Sequence, residues 1–298
     1  MVSSLISLVL TMALMLVSVA FFIVLERKGL GVFQLRHGPN KPSLKGFVQA
    51  VADGVKLVSK GLVVPGKANF GLFVMSPIIL FVLSFSLWLI FPSMSPGVYL
   101  KFGILFFISV SACNVFGLIL AGWSSNSTYS MLGAMRAVAQ SISYEVVMTT
   151  LLLCPLLFIP SFDLKKVSDG VGLLAVGLEL FFLWFVSILA ETNRAPFDFV
   201  EGESELVAGY HVEMGGFLFA LIALSEYGSM VFMSVVSVSL FFGKVGPFLM
   251  SVLAVLISMG FVLVRATLPR YRYDMLMDFC WKGVLPMSLC LFMMCLIY

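Results

Sequence analysis

Residues 2–25, VSSLISLVLTMALMLVSVAFFIVL, run for 24 positions without a charged side chain. As a helix this run is about 36 Å long, more than the roughly 30 Å hydrocarbon core of a bilayer. A signal peptide would carry a basic start, a shorter apolar core and a small-residue cleavage site. The segment has none of these, so it reads as a retained first span. The rest of the 298-residue chain agrees, being 61% hydrophobic and only 11% charged, with mean hydropathy +1.10. Soluble domains are about 25% charged. The expected fold class is therefore an all-α integral membrane protein. A single membrane domain over 1–298 is expected, because no polar block is long enough to fold separately. The net charge of +3 and the lack of a basic run give no support to nucleic-acid binding.

A scan for runs of about 20 apolar residues gives eight spans. They cover roughly 2–25, 70–91, 98–122, 143–160, 171–190, 216–241, 245–264 and 283–297. Eight spans place both termini on one side. Fourteen of the 18 Lys and Arg residues then fall in the odd-numbered loops, against Lys101, Lys165, Lys166 and Lys244 opposite. The positive-inside rule assigns the fourteen to the cytoplasm or matrix. Before the second span, Leu44, Phe47, Val48, Val51, Val55, Val58 and Leu62 follow the apolar spacing of a helix, with Lys45, Gln49, Asp53, Lys56 and Lys60 on the other face. This predicts an amphipathic helix over about 44–62, lying in the membrane interface. It reads either as a plain anchor or as a wall for an amphipathic ligand entering from lipid.

Five cysteines (Cys113, Cys154, Cys280, Cys290, Cys295) form no C-x-x-C pair, and only His37 and His211 provide imidazole. No metal, haem or iron–sulfur ligand set can be assembled, and no nucleotide-binding glycine pattern occurs. If the protein serves redox chemistry, the electrons reside on a partner.

Ionisable groups inside the spans are the functional candidates. An ionised side chain at mid-bilayer costs about 2.5–3.5 kcal/mol, which makes Glu145 and Glu226 candidate proton carriers. The alternative is a protonated Glu bonded to a neighbouring helix. Glu179 is read as a third acid within a span. Residues 191–213, ETNRAPFDFVEGESELVAGYHVE, place six carboxylates and one arginine between two spans. These acids are Glu191, Asp198, Glu201, Glu203, Glu205 and Glu213. If a helix follows Pro196, Asp198, Glu201 and Glu205 share a face and repel one another. Such a row suggests a proton or cation route, or a docking surface for a basic partner. A solvated acidic loop is the plainer reading.

Several stretches together resemble one family. They are LERKGLGVFQLRHGPNK (25–41), GWSSNS (122–127), GAMRAVAQSISYEV (133–146), AETNRAPFDFVEGESELVAGYHVE (190–213), ALSEY (223–227) and LPRYRYDMLMDFCWK (268–282). They are similar to the chain 1 family of NADH:ubiquinone oxidoreductase, the membrane subunits at the quinone site of respiratory complex I. The resemblance implies eight spans and no cofactor bound by this chain. Ubiquinone would be substrate, with NADH, FMN and iron–sulfur clusters on partner subunits. It implies much of a ubiquinone access tunnel lined by Arg27, Arg36, Asp53, Lys56, Arg265, Arg270 and Arg272. It also implies an acidic path through Glu145, Glu191, Asp198, Glu201, Glu203, Glu205, Glu213 and Glu226 that couples quinone reduction to proton translocation. Glu26 and Arg136 fall in matching motifs without a clear role. The implied partners are the hydrophilic quinone-site and iron–sulfur subunits, the antiporter-like membrane subunits, and lipid. The implied location is the mitochondrial inner membrane, with the charged loops in the matrix and both termini in the intermembrane space. The chain departs from the family pattern at Gly61, Glu179, His211 and Met214; Met214 stands where a tyrosine hydroxyl is usual. Two other readings fit parts of the sequence: a subunit of a related membrane-bound hydrogenase, and a stand-alone proton-coupled transporter.

Overall fold

The computed structural model describes residues 2–41, 45–92, 99–170, 172–175, 177–198 and 209–297, and no strand occurs among them. Helix α1 spans Val2–Phe33 and α2 spans Gln49–Ser59. Helix α3, Phe70–Ser86, tightens into a 3-10 turn over Leu87–Ile90. Helices α4, Gly103–Ser124, and α5, Thr128–Phe158, are followed by the short α6, Leu164–Ser168. Helix α7 spans Leu178–Glu191, α8 Phe217–Phe241 and α9 Pro247–Thr267. Helix α10, Tyr273–Asp278, passes through a π-helical turn at Phe279–Val284 into α11, Leu285–Ile297.

Seven helical stretches among the described residues are long and apolar enough to cross a membrane. They account for seven of the eight expected spans. At the expected fifth span, the structure has a 3-10 turn at Leu173–Ala175 and then the 14 residues of α7, with residues 171 and 176 outside the described set. Glu179 consequently lies in the exposed first turn of α7, where a carboxylate opposes the positive end of the helix dipole. Helix α5 begins fifteen residues before the expected span, at Thr128. Its polar residues Gln140, Ser141 and Ser143 are buried among other helices, so a hydropathy scan misses this half. Helix α2 is shorter than expected because residues 45–48 form a turn. Gly46 holds φ +82° there, and a methyl at its position would lie 2.2 Å from the Pro39 carbonyl oxygen. Only glycine fits such a close approach in the left-handed region. Leu44 lies outside the described residues.

Two packed regions position the charged residues. The larger surrounds α5, α7 and α8, with Trp184, Tyr144, Phe232 and Ile188 fully buried. The Trp184 indole N–H donates to Ser237 Oγ at 3.0 Å, so a polar ring edge is satisfied inside an apolar core. The smaller region joins α3, α4 and the start of α8 through Phe73, Leu80, Leu118 and Leu218. Most helix hydroxyls donate to carbonyls of their own preceding turn, as Ser234 does to Val231 O at 2.7 Å and Ser258 to Val255 O at 2.8 Å. This makes serine tolerable where lipid offers no hydrogen bonds.

The contact that ties the end of the acidic stretch to α5 is backbone against backbone. A methyl at Gly133 would lie 2.8 Å from both the Gly209 carbonyl carbon and the Tyr210 nitrogen. Nearby, the Ser130 hydroxyl donates to Tyr210 O at 3.0 Å. Gly133→Ala should therefore displace residues 209–211 and destabilise by about 1–3 kcal/mol, the usual cost of overpacking. The expected readout is less assembled protein on a native gel. Gly66→Ala, where nothing lies within 4 Å of an added methyl, should leave the amount unchanged.

Candidate functional site

The uncharged run of α1 ends at Glu26, which is buried at 4% exposure. Its Oε1 accepts from Arg265 of α9 and lies 3.8 Å from Arg194 Nη1, just beyond α7. The Arg194 guanidinium also sits 4.2 Å from the centre of the Tyr227 ring of α8, a cation–π geometry. One carboxylate thus joins α1 and α9 to the segment leaving α7, next to α8. Taking such charges out of water costs several kcal/mol per ion, so each depends on the others being present. The sequence points to Arg265 alone among these three charges, through the tunnel set; Glu26 stands in a matching motif without a role, and Arg194 is the one arginine of the acidic stretch.

The residues assigned to the tunnel fall into two places. Arg27 pairs with Asp53 of α2 at 2.7 Å, and Asp53 also accepts from Gln49 at 2.7 Å. Arg27 and Arg36 line a half-open depression together with Leu30, Gly38 and Pro39. The turn leading into α2 rests on α1 through the Phe21 and Phe47 rings, 5.9 Å apart, while Val51, Val55 and Val58 of α2 remain exposed. Lys56 is exposed on the same helix. The others lie at the end of α9. Arg265 reaches Glu26, Arg270 pairs with Asp198 at 3.3 Å, and Arg272 pairs with Asp274 at 3.1 Å on the surface.

The acids assigned to the proton path are partly gathered. Glu145 of α5 is half-buried and lies within electrostatic reach of Glu191 at the end of α7. Glu226 of α8 accepts from the Tyr210 hydroxyl at 2.5 Å. Glu213 is half-buried just before α8. Glu201, Glu203 and Glu205 lie outside the described residues. Met214 packs at 6% exposure in the smaller apolar region, so no hydroxyl stands there. Tyr210, four residues earlier, provides a phenol to Glu226 instead. The His211 ring lies 5.0 Å from the Tyr210 ring and 5.6 Å from that of Phe219.

Gln140 ties the two groups together and was also missed. Fully buried on α5, it donates from Nε2 to Ala190 O at 2.9 Å and to Phe197 O at 3.0 Å. These bonds fix the chain on both sides of Glu191 and Arg194. Phe197 stacks near Tyr144, Tyr271 and Phe279, and Tyr271 N–H donates to Pro196 O at 3.1 Å. Asp198 is thereby held against Arg270. This pair joins one residue of the tunnel set to one of the acidic set.

A helical multi-pass membrane protein with buried ion pairs at one end of its bundle is the class that fold and site define. The sequence pattern described as NADH dehydrogenase matches residues 6–296. Proteins called NADH-ubiquinone oxidoreductase chain 1 are similar throughout. That of Heterololigo bleekeri is 46% identical over 293 residues, 95% of this chain and 94% of its own. That of Artemia franciscana is 46% identical over 284 residues, 94% of each, and that of Mytilus edulis 43% over 286 residues, 92% and 91%. The chain belongs to the NADH dehydrogenase chain 1 family.

Because Arg194 and Glu26 are both buried, Glu26→Gln leaves a cation without its counter-charge. Breaking a buried pair in this way costs about 3–5 kcal/mol. The expected outcome is a steep loss of assembled protein on native gels, partly restored by Glu26→Asp, which keeps the charge; normal assembly of Glu26→Gln would contradict the assignment.

Proposed function

We propose that the chain is a core membrane subunit of respiratory complex I in the mitochondrial inner membrane. In this reading it forms much of the ubiquinone access tunnel and the start of the acidic path coupling quinone reduction by NADH to proton translocation. The chain binds no redox cofactor, and NADH, FMN and the iron–sulfur clusters belong to partner subunits. Family membership supports the complex. The ion pair between Arg270 and Asp198 is the observation that supports coupling, since it joins the two residue sets directly.

The quinone tail lies along apolar side chains, and α2 offers Val51, Val55 and Val58 for this contact. The head group passes the depression beside Arg27 and Arg36, whose guanidinium groups donate hydrogen bonds and oppose negative charge. Reduction of the head changes its charge and its need for protons. The change alters the electrostatic balance of the arginines around it, and Arg270 passes that change to Asp198. From there, protonation shifts along the acidic loop to Glu213, Glu145 and Glu226, and on towards the antiporter-like subunits. Glu145 and Glu191 share electrostatic reach, so ionising one opposes ionising the other. Such a pair can pass on a change of charge without a change of fold.

The Arg27 side chain is about half exposed and that of Asp53 about a third, and a solvent-exposed ion pair of this kind adds only about 0–1 kcal/mol to stability. Asp53→Asn should therefore assemble normally but raise the KM for quinone in the intact complex. A photoreactive quinone analogue should label residues 36–60, and excess quinone should remove the label. Label that quinone does not compete away, with an unchanged KM in Asp53→Asn, would refute the tunnel.

A further inference from the structure

Between α3, α4, α7 and α8 lies a cavity of about 30 Å³. Its polar lining is Ser84, Ser111, Asn114, Glu191, Thr192 and Ser229. Asn114 stands alone as an amide within the apolar run of α4. Two acceptors, Asn114 Oδ1 and Glu191 Oε2, are buried and have no hydrogen-bond partner among the described residues. A buried acceptor left unpaired costs about 1–3 kcal/mol, so both oxygens call for a donor.

The hydroxyls of the cavity already donate within their own helices. Ser84 already donates to Phe81 O at 2.9 Å, and Ser111 to Ile108 O at 2.9 Å. Thr192 donates to Ile188 O at 2.9 Å, and Ser229 to Glu226 O at 2.8 Å. Towards the cavity these four oxygens can only accept. Aliphatic side chains close the remaining wall. The ligand must then be small and rich in donors. The volume exceeds the roughly 10–15 Å³ that one water needs, and the lining exceeds the two to four polar partners that a buried water uses.

We propose that this cavity is a water site within the bundle, in which one or two waters donate to Glu191 Oε2 and to Asn114 Oδ1. The site hydrates Glu191 from the side of α3 and α4, away from Glu145. It deepens the reading of Glu191 as a member of the acidic path and rests on that reading for its functional meaning. Hydration eases the ionisation of a buried carboxylate. It also gives Glu191 a proton-conducting neighbour that belongs to no acidic residue.

The test is a density map of the assembled complex, at a resolution that shows ordered water. The expected result is density within hydrogen-bonding distance of both Asn114 and Glu191. It should be lost in Asn114→Leu, whose side chain fills the space with carbon, and kept in Asn114→Ser. If Asn114→Leu fails to assemble, Ser111→Val serves as the second cavity-filling variant, with the same loss expected. A wild-type map without this density would overturn the proposal, as would contacts shorter than hydrogen bonds that change when sodium is exchanged for potassium. The hydration result is independent of pumping. Unchanged pumping in Glu191→Gln would refute the path reading while leaving the water site in place.

Discussion

The constraint on which the rest depends is that Glu26 is buried between two arginines. The uncharged run of α1 ends there, at a buried carboxylate whose charge is costly out of water unless it is paired. Arg265 and Arg194 provide them from distant parts of the chain, and Tyr227 covers the second. Satisfying this one charge brings the ends of α1, α7 and α9 together beside α8. The next residue, Arg27, then faces α2 and Asp53. The position of the amphipathic helix is in this sense a consequence of where the buried charge is neutralised.

The same assembly explains how a tunnel and an acidic path could lie side by side. Gln140 holds the chain on both sides of Glu191 and Arg194, and Arg270 holds Asp198. A change in the electrostatic field near the arginines would therefore meet a rigid backbone and movable protons. In the proposed function, charge shifts are cheaper there than conformational ones. Tyr210 on Glu226 and the polar cavity at Glu191 add hydrogen-bonding groups next to two of the acids.

Membrane helices were legible in the sequence because burial in lipid demands unbroken apolar runs, as in residues 2–25. Legibility failed where helices face one another and not lipid. The first half of α5 is polar enough to escape a hydropathy scan, yet Gln140 and Ser141 are buried against protein. Helix α7 starts later than its apolar run, so Glu179 falls in an exposed first turn and not in the middle of a helix. The resemblance named the charged residues near the site, but it did not reveal their pairing. Glu26 and Arg265 are 239 positions apart, and no local pattern encodes such a contact. Asn114 drew no attention because a lone amide in an apolar helix has no motif. Its meaning comes only from the oxygens that surround it.

In the proposed function, Arg270 and Asp198 act as one unit linking quinone chemistry to proton movement. A double-mutant cycle in the assembled complex tests it most directly, with protons translocated per electron measured for Arg270→Gln, Asp198→Asn and the pair. Each single change should lower the ratio, and the double variant should lose no more than the larger single loss. Losses that simply add, or a ratio equal to wild type in all three variants, would contradict it.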